Sequence, residues 1–228
     1  MKVYKSMFLE NKRDLLKKLI GSLKTDFPYV SVLGTDVNGK QYRVTTTGIS
    51  VGDSRWMERG FVVRVHDGTG YFEYSFNEID EDSLQMISET IKSRARFFRE
   101  KMNSLGIESV HAPLLKETEE KIDFEDSVEA LLDSCSPGEI IDRLSKMKDR
   151  AHALSDEVIN VMTVIENVNV QKLFLSGKKE LSQSYIWSQG YLYVVARRDK
   201  KTKYGIKSFS GLKGLELLDE MESCVDGV

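Results

Sequence analysis

The chain has 228 residues, 33 lysines and arginines against 36 aspartates and glutamates, and a net charge of -3. The 40% of apolar residues and the 3 prolines argue against a disordered, collagen-like or coiled-coil chain. The excess of acidic over basic residues argues against a dedicated nucleic-acid binder, because affinity for a polyanion depends on clustered cations. Its apolar runs are far shorter than the ~20 residues that span a bilayer, and two cysteines are too few for a disulfide framework. We therefore expect a cytoplasmic protein without a membrane partner and with free thiols.

Helical patterns occur at four places along the chain. Residues 10–23 carry apolar side chains at helical spacing with lysines on the other face. Asp80 can cap a long helix that stops at Gly106. The run 136–139, Ser-Pro-Gly-Glu, combines an N-cap, a proline at the first helical position and a capping-box glutamate. A fourth helix is predicted to begin near Ser210.

Strand patterns follow the first helix and the third. The runs 28–36, 41–50 and 60–76 are broken by Asn38-Gly39 and Asp67-Gly68, dipeptides that favour hairpin turns. This pattern predicts an antiparallel meander. Further strands are predicted in the second half at 157–166, 170–176, 182–187, 189–197 and 203–209.

The second half repeats the first in outline. The sequence from Gly60 to Val65 aligns with the sequence from Gly190 to Val195. Leu84, on the predicted helix that ends the first half, precedes Leu215, on the predicted helix that ends the second half, by 131 residues. We interpret the chain as an α+β protein with mainly antiparallel sheets covered by helices, in two similar units of a strand meander plus a helix. A chance recurrence of a common arrangement is the alternative.

The predicted domain boundaries follow from this repetition. The first α+β unit covers 1–106 and the second 136–228, with an acidic connector at 107–135. Within it, 117–129 holds seven acids against one lysine. We interpret this stretch as a solvated acidic face, and an acidic docking surface for a basic partner is the alternative.

Catalytic patterns are weak in this sequence. His66, His111 and His152 are scattered, and their spacing does not predict a metal site. Cys135 precedes a helix N-terminus, which can lower a thiol pKa, but the ordinary interpretation is a small residue at the end of a loop. The basic run 197–203 fits a solvated hairpin tip better than a nucleic-acid contact, because no aromatic residue is interleaved with it. The residues thus predict no catalytic and no metal-binding group.

Residues 59–72, RGFVVRVHDGTGYF, together with the helix at 79–102, resemble the N-terminal region of the TldD/PmbA family of metalloproteases, also described as modulators of DNA gyrase. The helix at 136–156 and the glycine-rich stretch at 205–219 resemble that family's second region. The resemblance spans essentially the whole chain. It implies structural or interface roles for a set of motif residues, Gly60, Arg64, Asp67, Gly68, Gly70 and Tyr71.

The resemblance also implies a peptidase activity that we do not expect this chain to perform alone. Family members bind zinc through an H-E-x-x-x-H helix and a cysteine that lie beyond the matched region, and this chain has no two histidines at that spacing. They form homodimers or TldD with PmbA heterodimers around a cleft for unfolded peptide. We therefore expect a non-catalytic assembly and peptide-admitting portion of a zinc metalloprotease. The alternatives are a stand-alone scaffold that binds a protein through its sheet edges and an enzyme that depends on Cys135.

Overall fold

The computed structural model describes residues 1–106 and 112–228, and within them four α-helices and eight β-strands. The helices are α1 (Met7–Leu23), α2 (Glu81–Ser104), α3 (Pro137–His152) and α4 (Leu217–Ser223). The strands are β1 (Tyr29–Thr45), β2 (Gly48–Asp53), β3 (Glu58–His66), β4 (Tyr71–Phe76), β5 (Glu120–Glu125), β6 (Val158–Ser176), β7 (Lys179–Arg198) and β8 (Lys201–Gly211). No helix of the described residues is long and apolar enough to cross a membrane.

The eight described strands form one sheet. Its order is β4-β3-β1-β6-β7-β5, with β2 also paired to β1 and β8 also paired to β7. All pairs are antiparallel except β5 with β7. The prediction of an α+β fold built on mainly antiparallel strands and covered by helices is confirmed.

The two halves of the chain meet at the long central pair β1 and β6. β3 lies beside β1 as β7 lies beside β6. Gly60 faces Thr35 across one pair, and Gly190 faces Ile165 across the other, so both partners differ by the same 130 residues. The two similar units therefore share one sheet, and each has its own pair of helices.

All four helices of the described chain lie on one face of the sheet. Around α1 and α2 the core includes Val32 and Leu173, and around α3 and α4 it includes Tyr42 and Ile165. Successive side chains of a strand point to opposite faces, and directly opposed partners share a face. The continuous register of β1 with β6 puts both cores on the same side. We call the opposite side the open face, because no helix of the described residues covers it.

The helix starts follow the sequence signals closely. Ser136 accepts from the Glu139 backbone N–H, and the Glu139 carboxylate accepts from the Ser136 N–H, which is the predicted capping box. Asp80 caps α2 as predicted, and Gly106 follows that helix at φ +62°. These local hydrogen bonds satisfy backbone donors that a helix leaves unpaired.

Three local predictions were wrong. Asn38-Gly39 makes no turn, because β1 continues through it; a side chain on Gly39 would lie 2.3 Å from the backbone oxygen of Asn167. The last helix begins at Leu217 rather than near Ser210, since β8 extends to Gly211. The segments 157–166 and 170–176 form one strand, as do 182–187 and 189–197. The stretch predicted to be an acidic connector also contributes strand β5.

Candidate functional site

The open face carries a row of apolar side chains that crosses five strands. Direct cross-strand pairing aligns the row from β3 to β5. Its members are Val62, Leu33, Phe174, Leu181 and Ile122. Leu33 is 37% exposed and Ile122 is 49% exposed, whereas apolar side chains on the covered face are mostly buried. Val62, Phe174 and Leu181 are half-buried, and a contiguous, partly exposed apolar row of this kind indicates an interaction surface.

Part of this row lines a groove of about 300 Å³. Phe124, on the edge strand β5, extends the apolar wall and is 52% exposed. Lys172 and Gln183 stand in the neighbouring row on β6 and β7, and both line the groove. The groove thus combines apolar walls with one cation and one amide, a composition typical of binding sites.

The centre of the open face is covered by the loop between β2 and β3. Trp56 packs edge-on against Trp187, with ring centroids 6.2 Å apart. Below it, Glu166 is only 2% exposed and accepts a 2.7 Å hydrogen bond from Ser54 Oγ, and Gln189 Nε2 donates to its other oxygen. This polar cluster fixes the loop on the sheet and lies between the groove and the end of the face that carries Tyr191 and Tyr193.

Two half-buried cations on the open face have no acidic partner in the described part of the chain. Lys172 and Arg43 are half-buried, and neither forms an ion pair or a side-chain hydrogen bond with a described residue. The Nε atom of Arg43 is fully buried without an acceptor among those residues. An unpartnered buried donor costs about 1–3 kcal/mol, so Arg43 favours an anionic partner. The ammonium group of Lys172 is not buried in this way, and its charge is available to a ligand.

The motif residues of the sequence analysis gather mainly at the β3–β4 turn. Asp67 accepts from the backbone N–H groups of Thr69 and Gly70, both at 2.9 Å, and from Arg99 Nε at 2.9 Å. Burial raises the pKa of Asp67, but these donors outweigh it, so the pKa lies below its ordinary value. Gly68 has φ +96°, a conformation that glycine adopts without strain.

The β3–β4 turn also contacts segment 112–115, which follows the residues that the structure does not describe. His66 is buried; its Nδ1 accepts from the Gly68 N–H, and its Nε2 lies 2.9 Å from the backbone oxygen of Ala112. Tyr71 donates to the backbone oxygen of Pro113 and accepts from the N–H of Leu115. Segment 112–115 is thereby fixed over one end of the open face.

The other two motif residues lie along β3. Gly60 has φ +153°, and a side chain there would lie 3.0 Å from the backbone oxygen of Phe76. Arg64 forms a 2.5 Å ion pair with Glu73 across β3 and β4. None of the six motif residues lines the groove, and their roles in structure or at an interface stay predictions.

Several acids of the connector are paired within the chain. Asp123 and Glu125 bind Lys5, and Glu120 binds Lys179 at 2.7 Å. Pairing with lysine through side-chain hydrogen bonds lowers the pKa of both Asp123 and Glu125. These internal pairs weaken the case for an acidic docking surface at β5.

The described residues do not fit a zinc site. They contain no group of three histidine, cysteine, aspartate or glutamate side chains close enough to hold a metal ion. Both ring nitrogens of His66 are engaged by backbone groups, and His111 lies outside the described residues.

Cys135 lies at a pocket of about 370 Å³ on the covered face, between the two pairs of helices. Tyr42, Asp133 and Asn167 also line it, and no histidine is among its described lining residues. A cysteine nucleophile normally needs a neighbouring base such as histidine. The described lining of this pocket offers no histidine base for the hypothesis of a cysteine-dependent enzyme.

Sequence reasoning missed the residues that make the groove and the polar cluster. Lys172 and Glu166 each lie in a run of β-branched or apolar residues. Because successive side chains of a strand alternate between the two faces of a sheet, this pattern indicates that both residues lie on the face opposite the buried one. That signal was present but needed the strand register to interpret. Trp56 lies in a loop, and its position over Trp187 follows only from the tertiary fold.

Solved structures reveal the fold to which this chain is similar, although no protein-family model and no curated protein matches it. A protein described as a modulator of DNA gyrase from Bacteroides thetaiotaomicron aligns with 96% of this chain and 50% of its own, at a TM-score of 0.71 and 13% identity. One similarly described from Thermotoga maritima aligns with 94% of this chain and 47% of its own, at a TM-score of 0.68 and 13% identity. TldE from Thermococcus kodakarensis aligns with 92% of this chain and 47% of its own, at a TM-score of 0.63 and 12% identity.

These similarities confirm the predicted resemblance at the level of the fold. The identity is too low to carry more than the fold. The chain spans about half the length of the solved structures that it matches.

Proposed function

We propose that this chain is a non-catalytic assembly and peptide-admitting portion of a TldD/PmbA-like zinc metalloprotease, and that another segment or subunit supplies the zinc. The observation that carries the proposal is the open face, with its partly exposed apolar row across five strands. The shared fold and the half-length match to modulators of DNA gyrase and TldE support it. The proposal includes a cytoplasmic location and a dimer, either of like chains or of the TldD with PmbA type.

The physical argument rests on the cost of exposed apolar surface. Burying a half-exposed leucine or isoleucine stabilises a complex by roughly 25 cal/mol per Å² of apolar area removed from water. The row gains this energy only when something covers it. A neighbouring domain or subunit would bury the Val62 end of the row, next to Leu33, and the groove beyond Leu33 would stay open to an extended peptide.

Co-purification from the native cells tests the assembly role. A tagged chain is expected to retain a second polypeptide that carries H-E-x-x-x-H, together with zinc and peptidase activity. Leu33→Glu places a charge in the apolar row and is expected to release that polypeptide. Met86→Glu is the matched control, since Met86 is 65% exposed on α2 and lies away from the open face. Stoichiometric zinc with turnover by the isolated chain would overturn the non-catalytic part.

A stand-alone scaffold is the second candidate, because the same open face could bind a protein that is unrelated to proteolysis. The co-purification experiment separates the two. A stoichiometric partner without H-E-x-x-x-H, released by Leu33→Glu and retained by Met86→Glu, would favour the scaffold.

A further inference from the structure

We propose that the groove on the open face binds an extended peptide segment that carries one carboxylate among apolar side chains, and that Lys172 is the residue that selects it. This inference rests on the proposed function and specifies the class of peptide that would be admitted. Its elements are the apolar walls, the unpaired ammonium group and the edge strand β5.

The walls set the size and the apolar character of the occupant. Leu33 and Ile122 stand at the two ends of the groove, with β6 and β7 between their strands. Three spacings of about 4.8 Å make the groove roughly 14 Å long, which is the length of about four residues of extended chain. Phe174 and Phe124 provide flat apolar contacts along this length.

The charge of the groove makes the selection specific. Among the described residues, Lys172 is the only cation that lines the groove, and no acidic side chain lines it. The acids of the surrounding strands are engaged elsewhere: Glu120 pairs with Lys179, Asp123 with Lys5, and Glu180 with Lys17. Glu58, an acid on the same face but on β3, forms no ion pair with Lys172. A carboxylate from outside the described chain would therefore meet an unpaired cation.

The position at the edge of the sheet makes the groove accessible to an extended segment. β5 pairs with β7 alone among the strands. The N-terminal residues pair with the chain just beyond β5, at Asp126 and Val128, so the outer side of β5 itself has no strand partner in the described chain. Ile122 and Phe124 are about half exposed there. Exposed apolar side chains on an edge strand commonly accept an incoming chain.

Fluorescence anisotropy with defined peptides tests the inference on the full chain. The probe is a dye-labelled, acetylated and amidated decapeptide in which leucine and serine alternate around one central glutamate. Matched peptides carry glutamine or lysine at that position. The glutamate peptide is expected to bind about five- to tenfold more tightly than the glutamine peptide, the effect of one partly buried ion pair.

Variants assign this preference to one residue. Lys172→Gln is expected to abolish the preference for glutamate, and Lys172→Glu is expected to reverse it in favour of the lysine peptide. Lys178→Gln, at an exposed lysine on the β6–β7 turn, is the control that keeps the preference. Phe174→Ser is expected to weaken the glutamate and glutamine peptides equally.

Each contrary outcome overturns the inference. These are no binding of the glutamate peptide, a glutamate preference that survives in Lys172→Gln, or unchanged affinity in Phe174→Ser. A concentration-dependent dimer of the free chain that Phe174→Ser dissociates would assign the groove to a second copy instead. If the co-purifying zinc polypeptide is retained while the peptides fail to bind, the peptide inference fails and the assembly role stands.

Discussion

The two faces of the sheet are built from the same strands but have different physical roles. On β6, Leu173 points to the helices and is 1% exposed, whereas its neighbour Phe174 points to the open face and lines the groove. Fully burying such a side chain stabilises a protein by about 1.5–3 kcal/mol. The covered face obtains that energy on folding, as does the small buried cluster of Val37, Val168 and Val170 on the open face, whereas the apolar row can obtain it only on binding. Mutations should therefore separate folding from binding face by face.

The largest expected effect is the truncation of a side chain on the covered face. Leu173→Ala should lower the free energy of unfolding by about 2–5 kcal/mol, because it removes buried apolar contacts and leaves a cavity. Leu33→Ala, on the open face, should lower it by less than about 1 kcal/mol, because Leu33 is already 37% exposed. Urea denaturation of both variants measures the difference. Equal losses would show that the open face is part of the folding core.

Glycines extend the comparison from lost contacts to overpacking. A side chain on Gly190 would lie 2.4 Å from Met221 Sδ and 2.9 Å from the backbone oxygen of Val164. Gly190→Ala should therefore destabilise the chain by about 1–3 kcal/mol in thermal and urea unfolding. Gly52→Ala is the control on the exposed strand β2, where no atom lies within 4 Å of the added carbon. A Gly52→Ala variant as unstable as Gly190→Ala would contradict this packing account.

The difference between the faces also explains what the sequence could predict. Helix starts depend on a few adjacent residues, so the caps at Asp80 and Ser136 could be predicted directly. The repeated order of elements also reflects local periodicity. The continuity of β1 could not be predicted, because the signal at Asn38-Gly39 was outweighed by pairing with β6, a strand more than a hundred residues away.

The candidate site was harder to predict than the fold. The groove joins residues of β1, β5, β6 and β7, and its apolar row exists only in the observed register. A shift of one residue in any strand would move its side chain to the other face. The motif residues from Asp67 to Tyr71 are adjacent in sequence, so their clustering could be predicted, but their contacts with segment 112–115 could not.

A smaller effect is expected where segment 112–115 covers one end of the open face. Asp67→Asn removes the ion pair with Arg99 and should lower the free energy of unfolding by about 1 kcal/mol at pH 7. The pKa of Asp67 is lowered in the folded chain, so its stabilisation is complete above the unfolded value of about 3.9 and disappears as the pH falls through the folded value.

Urea denaturation of the wild type and Asp67→Asn between pH 7 and pH 3 measures this dependence. The gap in unfolding free energy between the two proteins should shrink below about pH 4. Asp53→Asn is a control at an exposed ion pair on β2. A gap that stays constant down to pH 3 would contradict the role assigned to the Asp67 carboxylate.

The smallest expected effect is the loss of one hydroxyl at the same end of the open face. Tyr71→Phe removes the hydrogen bonds to Pro113 and Leu115 and should cost about 0.5–1 kcal/mol, because both groups can bind water instead. The amide of Leu115 should then exchange with solvent faster, while the amides of the covered face keep their protection. Tyr204→Phe, at a tyrosine that is 74% exposed on β8, should change neither quantity. Unchanged exchange at Leu115 in Tyr71→Phe would mean that His66 and Thr69 hold segment 112–115 without the tyrosine, through their contacts with Ala112.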